Sequence, residues 1–255
     1  MIDDVVDETD DNIVGFLPDS SHFSAFVPNG IYLDGRIQAT KANLKALGLT
    51  WLDDAFSATD AFIEFNSAHG FDFDSTDGIG SGLMDFEAVA THEIGHVLGF
   101  TSSVDFIDEL VYLGITDYLV SVRPLDLFRF YDDFSPTTPE EFSILPRSLV
   151  PWIPSHFNDL THQYSMSTGQ YLGDGWQAGH WKESELSGNI IGIMDPAVLE
   201  GEQVAISEAD IRALDVIGWD YKAPIPEPGS LVLLSIGLAS LGFMRRQMRN
   251  ASTII

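Results

Sequence analysis

At 255 residues the chain suits one main domain with appendages, and a hydrophobic content of 45% is enough to fill a core. Its 39 acidic residues against 12 basic ones give a net charge of −27, which argues against nucleic acid or anionic membrane as the main partner. With no cysteine, neither a disulfide framework nor thiol chemistry is available.

The opening "MIDDVVDETDDN" lacks the basic start and apolar stretch of a secretory signal, so export requires a signal upstream of Met1. Residues 1–35 mix acids with short apolar runs and predict an extended strand and turns. "TKANLKALGL" (40–49) predicts a short helix with Leu44 and Leu47 inward and Gly48 at its end. In "DAFIEFNS" (60–67), Phe62 and Glu64 alternate with Ile63 and Phe65, which predicts a strand. "GFDFDSTDGIGSG" (70–82) reads as a turn-rich loop. Its Asp72, Asp74 and Asp77 are oxygen ligands suited to calcium, although the EF-hand spacing is absent and aspartates also cap turns.

From Asp85, Phe86, Val89, Ala90, Ile94, Val97 and Leu98 recur at helical spacing, and Gly99 stands where a helix ends in a left-handed residue. Residues 100–179 carry six of the twelve prolines. They read as short helices, a hairpin and loops wrapped on the core, not as a separate domain. "ISEADIRALDVIGWD" (206–220) opens with a capping box, Ser207 and Asp210, and predicts a helix with Ile211, Leu214 and Ile217 inward, closed by Gly218. Trp152, Trp176, Trp181 and Trp219 read as core, and His22 and His69 as surface residues. After Tyr221 come a proline-rich linker "KAPIPEPGS", an apolar stretch "LVLLSIGLASLGFM" (231–244) and a basic "RRQMR" (245–249).

The chemistry concentrates in "AVATHEIGHVLGF" (88–100). His92 and His96, at i and i+4, share one helix face about 5–6 Å apart at Cβ, so both imidazoles can reach one zinc. Glu93 stands beside them, where a carboxylate can take a proton from water on the metal. A catalytic zinc takes three protein ligands. Asp105 just after the helix, His156 and His162 in the insert, and His180 further on can each supply the third.

"HEIGHVLGF", followed after a long insert by "GHWKE" and then "GIMDP", resembles leishmanolysin-type and matrixin-like bacterial metzincin proteases. The common metzincin pattern H-E-x-x-H-x-x-G-x-x-H has Ser102 where its last histidine belongs. In leishmanolysins an insert separates the second and third zinc histidines. The resemblance therefore implies His92, His96 and His180 as ligands, Glu93 as general base and Met194 as the Met-turn residue. The chain is shorter than typical leishmanolysins and lacks their cysteines. It implies an α+β metzincin-like fold: a twisted mixed sheet with the zinc helix above, a loop-rich lower part with a C-terminal helix below. The domain would span 1–222, with 100–179 inserted between ligands. A zinc endopeptidase acting on protein or peptide substrates is the expected function. The alternative is a cell-surface or matrix protein whose zinc site is structural or inactive.

Pro226, Glu227 and Pro228, the apolar stretch and the arginines resemble the PEP-CTERM sorting signal of Gram-negative bacteria. That resemblance implies a linker over 223–230, a hydrophobic helix and basic tail over 231–249, and export to the cell surface or extracellular matrix. It further implies cleavage by an exosortase-type enzyme after transient anchoring in the inner membrane through 231–244. A permanent transmembrane anchor is the plain alternative. Fourteen residues at about 1.5 Å each fall short of a hydrocarbon core about 30 Å thick.

Overall fold

The computed structural model describes residues 11–221, and the chain divides into two units after Asp220. The elements run in order from α1 (Asp11–Val14) through β1 (Ala25–Phe26), β2 (Ile31–Ile37), α2 (Lys41–Ala46) and α3 (Leu52–Ala55). Next come β3 (Phe71–Asp72), β4 (Met84–Asp85), α4 (Phe86–Leu98), α5 (Ser103–Tyr112), β5 (Tyr118–Val122), β6 (Arg129–Tyr131) and α6 (Pro139–Ile144). The order closes with β7 (Arg147–Ser148), β8 (Ser155–Asn158), β9 (Gln163–Met166), α7 (Ser184–Ser187) and α8 (Glu208–Asp215).

The fold is mixed α and β, but among the described residues four small sheets stand in place of the single twisted sheet expected from sequence. β1–β7, β2–β5 and β3–β4 are parallel pairs, and β6–β8–β9 is an antiparallel meander. The segment 100–179 packs into the body: β5 pairs with β2, and β7 with β1, so both return to strands that precede α4. The strand expected at 60–67 is not formed. Phe62 is 83% exposed there, and an alternating pattern without a partner edge leaves its backbone groups to water.

Helix ends follow their side chains. Asp85 caps α4 by accepting the N–H groups of Glu87 and Ala88, and Gly99 ends it at φ 117°, a left-handed conformation that glycine takes without strain. α2 starts at Thr40 as expected, but its buried residues are Ala42 and Asn43, while Leu44 and Leu47 are only half-buried. In α4 the buried residues are Ala88 and Gly95, and Ile94 is exposed. Of the apolar residues that mark α4 in the sequence, Phe86, Val89, Ala90, Val97 and Leu98 are half-buried and only Ile94 faces solvent, while Gly95, with no side chain, is buried beside them. α8 begins with the expected capping box, and Ala209, Ala213, Val216 and Ile217 bury beneath it.

One core joins Ala88, Phe100, Phe128, Phe130, Phe142, Phe157, Trp181, Met194 and the α8 residues. A second lies under α5 and the β2–β5 pair, built on Ile31, Val104, Ile107, Val120 and Leu149. Of the four tryptophans expected inside, Trp181 is fully buried and Trp176 and Trp219 are half-buried. Trp152 lies on a turn with 44% exposure. His22 and His69 are exposed, as expected.

Candidate metal centre

α4 stacks His92 and His96, and the segment before Trp181 folds back to present His180 against them. The three Nε2 atoms form a nearly equilateral triangle. They stand 3.2 Å apart for His92 and His96, 3.1 Å for His92 and His180, and 3.1 Å for His96 and His180. Each Nδ1 meets a main-chain carbonyl: Ile193 O at 2.8 Å for His92, Phe100 O at 2.8 Å for His96, and Gln177 O at 3.0 Å for His180. A carbonyl only accepts, so each Nδ1 carries the proton and donates it, and a neutral ring leaves a lone pair on Nε2.

Three lone pairs facing one another cannot satisfy each other. A shared cation can. Nitrogens bound to one tetrahedral zinc at about 2.0–2.1 Å lie about 3.3 Å apart, close to the separations here. For His96 and His180, burial favours the neutral ring. Burial lowers the pKa of His180 to about 3, helped by the nearby His96 and His92. Burial likewise lowers that of His96, against the opposing pull of the Phe100 carbonyl. Among the described residues, this is the one group of three metal-type ligands within reach of a single ion.

Glu93 is half-buried beside the triangle, and its charge acts on His96. No hydrogen bond or ion pair holds its carboxylate among the described residues. A proton acceptor therefore stands next to the place where an ion would sit.

The other candidate ligands are corrected by their partners. Asp105 does not join the triangle; its carboxylate accepts the N–H groups of Ala178 and Gly179. On the other side, Arg129 Nη1 donates to Ala178 O at 3.1 Å. The two side chains clasp the peptide units that lead into His180. Burial raises the Asp105 carboxyl to about 6, although both N–H bonds pull the other way. His156 is buried elsewhere, with Nδ1 2.9 Å from Asp132 and Nε2 2.9 Å from Ser135 Oγ. His162 stacks on Tyr164 near Asp159 and Glu208. Ser102 caps α5, accepting the Val104 N–H and donating to Asp126 at 2.6 Å.

Met194 lies fully buried against α4. A Cβ placed on Gly95 would come within 2.3 Å of its sulfur, so only glycine allows this approach. The turn carrying Met194 hangs from one carboxylate that sequence reading took for a helix cap alone. Asp210 accepts from Ile193 N at 2.8 Å, Met194 N at 3.2 Å and Trp181 Nε1 at 2.7 Å. Since Ile193 O holds His92 and Trp181 follows His180, α8 orders two of the three histidines from below. The only signal for this in the sequence is the acid at the third position of α8, where Glu or Gln is the usual box partner.

The expected calcium loop is held otherwise. Asp72 accepts the N–H groups of Gly80 at 2.8 Å and Asp74 at 3.0 Å, while Asp74 accepts Thr76 N at 3.2 Å. These bonds lower both carboxyl pKa values. With Asp77 in the following turn, the three aspartates shape the loop and do not converge as a ligand group.

Comparison with known proteins finds one match. Residues 224–249 match the family model of the PEP-CTERM protein-sorting motif. No curated protein and no solved structure matches the chain. The sorting motif implies export to the cell envelope or surface and recognition by exosortase-type processing. Pro226, Glu227, Pro228 and the apolar stretch 231–244 fall inside the matched segment but outside the described residues. No helix among the described residues is long and apolar enough to cross a membrane.

Proposed function

We propose that the protein is an exported zinc-dependent endopeptidase. The observation that carries this reading is the convergence of three unprotonated Nε2 atoms beside the unpartnered Glu93. His92, His96 and His180 would hold the zinc. When bound, it supplies Lewis acidity that polarises the scissile carbonyl and acidifies the attacking water. Glu93 takes the proton of that water and passes it to the leaving amine. The carbonyls of Ile193, Phe100 and Gln177 keep the three rings in the ligating tautomer through every turnover. Met194 supports α4 from beneath.

A structural zinc would be closed by four protein ligands, whereas three leave a position open for chemistry. The group found among the described residues has three members, which favours catalysis over the surface-protein alternative. The leishmanolysin-like order of motifs agrees with this choice. The sorting motif implies export to the cell envelope or surface, which supports placing this work outside the cytoplasm.

The deciding experiment uses zinc-loaded protein and casein. Wild type is expected to cleave it, and Glu93→Gln is expected to keep one zinc per chain while losing cleavage by roughly 10²–10⁴-fold, the usual share of a general base. Zinc-loaded wild type inert on diverse unfolded substrates would sink the peptidase reading and leave a structural site.

A further inference from the structure

Outside the metal triangle, the β6–β8 pair carries a second group of chemically active side chains. Side chains on a strand alternate faces, so His156 and Asn158 stand on one face of β8. Phe130 of β6 pairs with His156, and the chain leaves β6 in a turn where Phe134 N donates to Tyr131 O at 3.1 Å. That turn brings Asp132 and Ser135 to the two nitrogens of the His156 ring. Nδ1 lies 2.9 Å from Asp132 Oδ1, and Nε2 lies 2.9 Å from Ser135 Oγ.

A carboxylate only accepts, so Nδ1 carries the ring proton and Nε2 accepts from the Ser135 hydroxyl. The ring is 1% exposed, and its burial lowers its pKa against the pull of Asp132, which leaves a neutral base. Asn158 is fixed beside it: Oδ1 accepts Leu160 N at 2.6 Å, and Nδ2 donates to Pro136 O at 3.1 Å and Ser135 Oγ at 2.7 Å. Both ends of this chain of bonds reach solvent, since Ser135 is half-buried and the Asp132 side chain is 52% exposed. Asp132 and Phe134, the residue before Ser135, line a cavity of about 340 Å³ with Tyr131, Ile153 and Pro154. Such a volume suits a small apolar group.

We propose that Ser135, His156 and Asp132 form a hydrolytic triad that cleaves carboxylic esters with a small apolar acyl group. Hydroxyl to Nε2 and carboxylate to Nδ1 is the arrangement that activates a serine, and it is recognised by geometry, not by order in the chain. Oγ attacks the ester carbonyl carbon while its proton passes to Nε2. The bond to the alcohol oxygen breaks, the alcohol leaves with that proton, and the acyl group stays on Ser135. Water then attacks the acyl carbon and gives a proton to Nε2. The bond to Oγ breaks, the acid departs, and the proton returns to Oγ. Asp132 orients the ring, and the Asn158 amide can stabilise the oxygen that gathers charge. None of the three histidines of the metal triangle takes part.

The test treats the zinc-loaded full chain with a fluorophosphonate probe, locates the adduct by mass spectrometry, and follows p-nitrophenyl acetate hydrolysis before and after labelling. An adduct on Ser135 is expected, with ester turnover falling as it forms. Asp132→Asn, at an exposed position, is expected to slow labelling at least about 100-fold. No adduct on Ser135 in the wild type, turnover unchanged after labelling, or equal labelling rates in Asp132→Asn and wild type would each overturn the triad.

Discussion

Ser102 stands where a short-spaced metzincin motif would place its third histidine, and its hydroxyl is engaged by Asp126 and the first turn of α5. The third imidazole of the triangle arrives instead from 84 residues on, as His180. The pair on α4 was legible because a helix repeats every 3.6 residues, so i and i+4 must share a face. Nothing periodic encodes the closure of an 84-residue loop, and resemblance alone pointed to His180. Asp105 was read as a rival ligand because a carboxylate near the helix end looks the same in sequence whether it binds metal or backbone. The two roles separate by experiment. His180→Ala is expected to lower zinc affinity by more than about 100-fold, and Asp105→Ala by about 10–100-fold, as for groups that orient a ligand. Competition with a chromophoric chelator measures both; equal affinity in His180→Ala and wild type would remove His180 from the set.

The Asp105 carboxyl also carries a signature of its own. Its pKa is raised to about 6 by burial, so between about pH 4 and 6 the folded state binds more protons than the unfolded one. The stability it contributes is complete below pH 4 and lost as pH rises through 6, on the order of 3 kcal/mol. The Tm of metal-free wild type relative to Asp105→Asn should therefore drop as pH goes from 4 to 7. A constant difference across that range would mean the carboxyl titrates normally.

At the scale of elements, the readable features were those fixed by local chemistry: the helix start at Asp85, the Ser207 capping box, the Gly99 stop, and a hairpin within the insert, which β8 and β9 form. The strand expected at 60–67 failed because alternation records a half-buried face only when a neighbouring strand exists to pair with it. The same limit hid part of the packing of α4, where Met194 lies against Gly95. Gly95→Ala is expected to push Met194 aside and destabilise the protein by about 1–3 kcal/mol, the usual cost of overpacking, despite alanine's better helix propensity. A gain in urea midpoint would show that the contact yields easily. Asp210 was read from sequence as a cap, and its larger role is to gather Trp181, Ile193 and Met194. Replacing it by alanine leaves those three donors buried. A loss of at least about 3 kcal/mol should follow, together with weakened zinc binding. An alanine variant as stable as wild type would mean that the turn stands without α8.

On the scale of the whole chain, composition and the last thirty residues speak about place, and the body speaks about chemistry. The match over 224–249 implies export and exosortase-type processing, which accords with an acidic body that repels anionic membrane. The apolar stretch 231–244 is followed by Arg245, Arg246 and Arg249. For a segment held in the membrane until it is cut, the positive-inside rule would keep these arginines cytoplasmic and leave the three histidines and Glu93 on the outer side. Were it helical, a fourteen-residue stretch would span about 21 Å against a core of about 30 Å, a weak anchor unless the bilayer thins or the arginines snorkel. Weak anchoring suits a segment that is held only until it is cut. The mature protein is therefore expected to end between Pro226 and Gly229, freeing a body that keeps all three histidines and Glu93. Mass spectrometry of the surface or secreted form checks this. A mature chain that runs through to Ile255 would make the tail a permanent anchor, and retention of the whole protein in the cytoplasm would remove the sorting role.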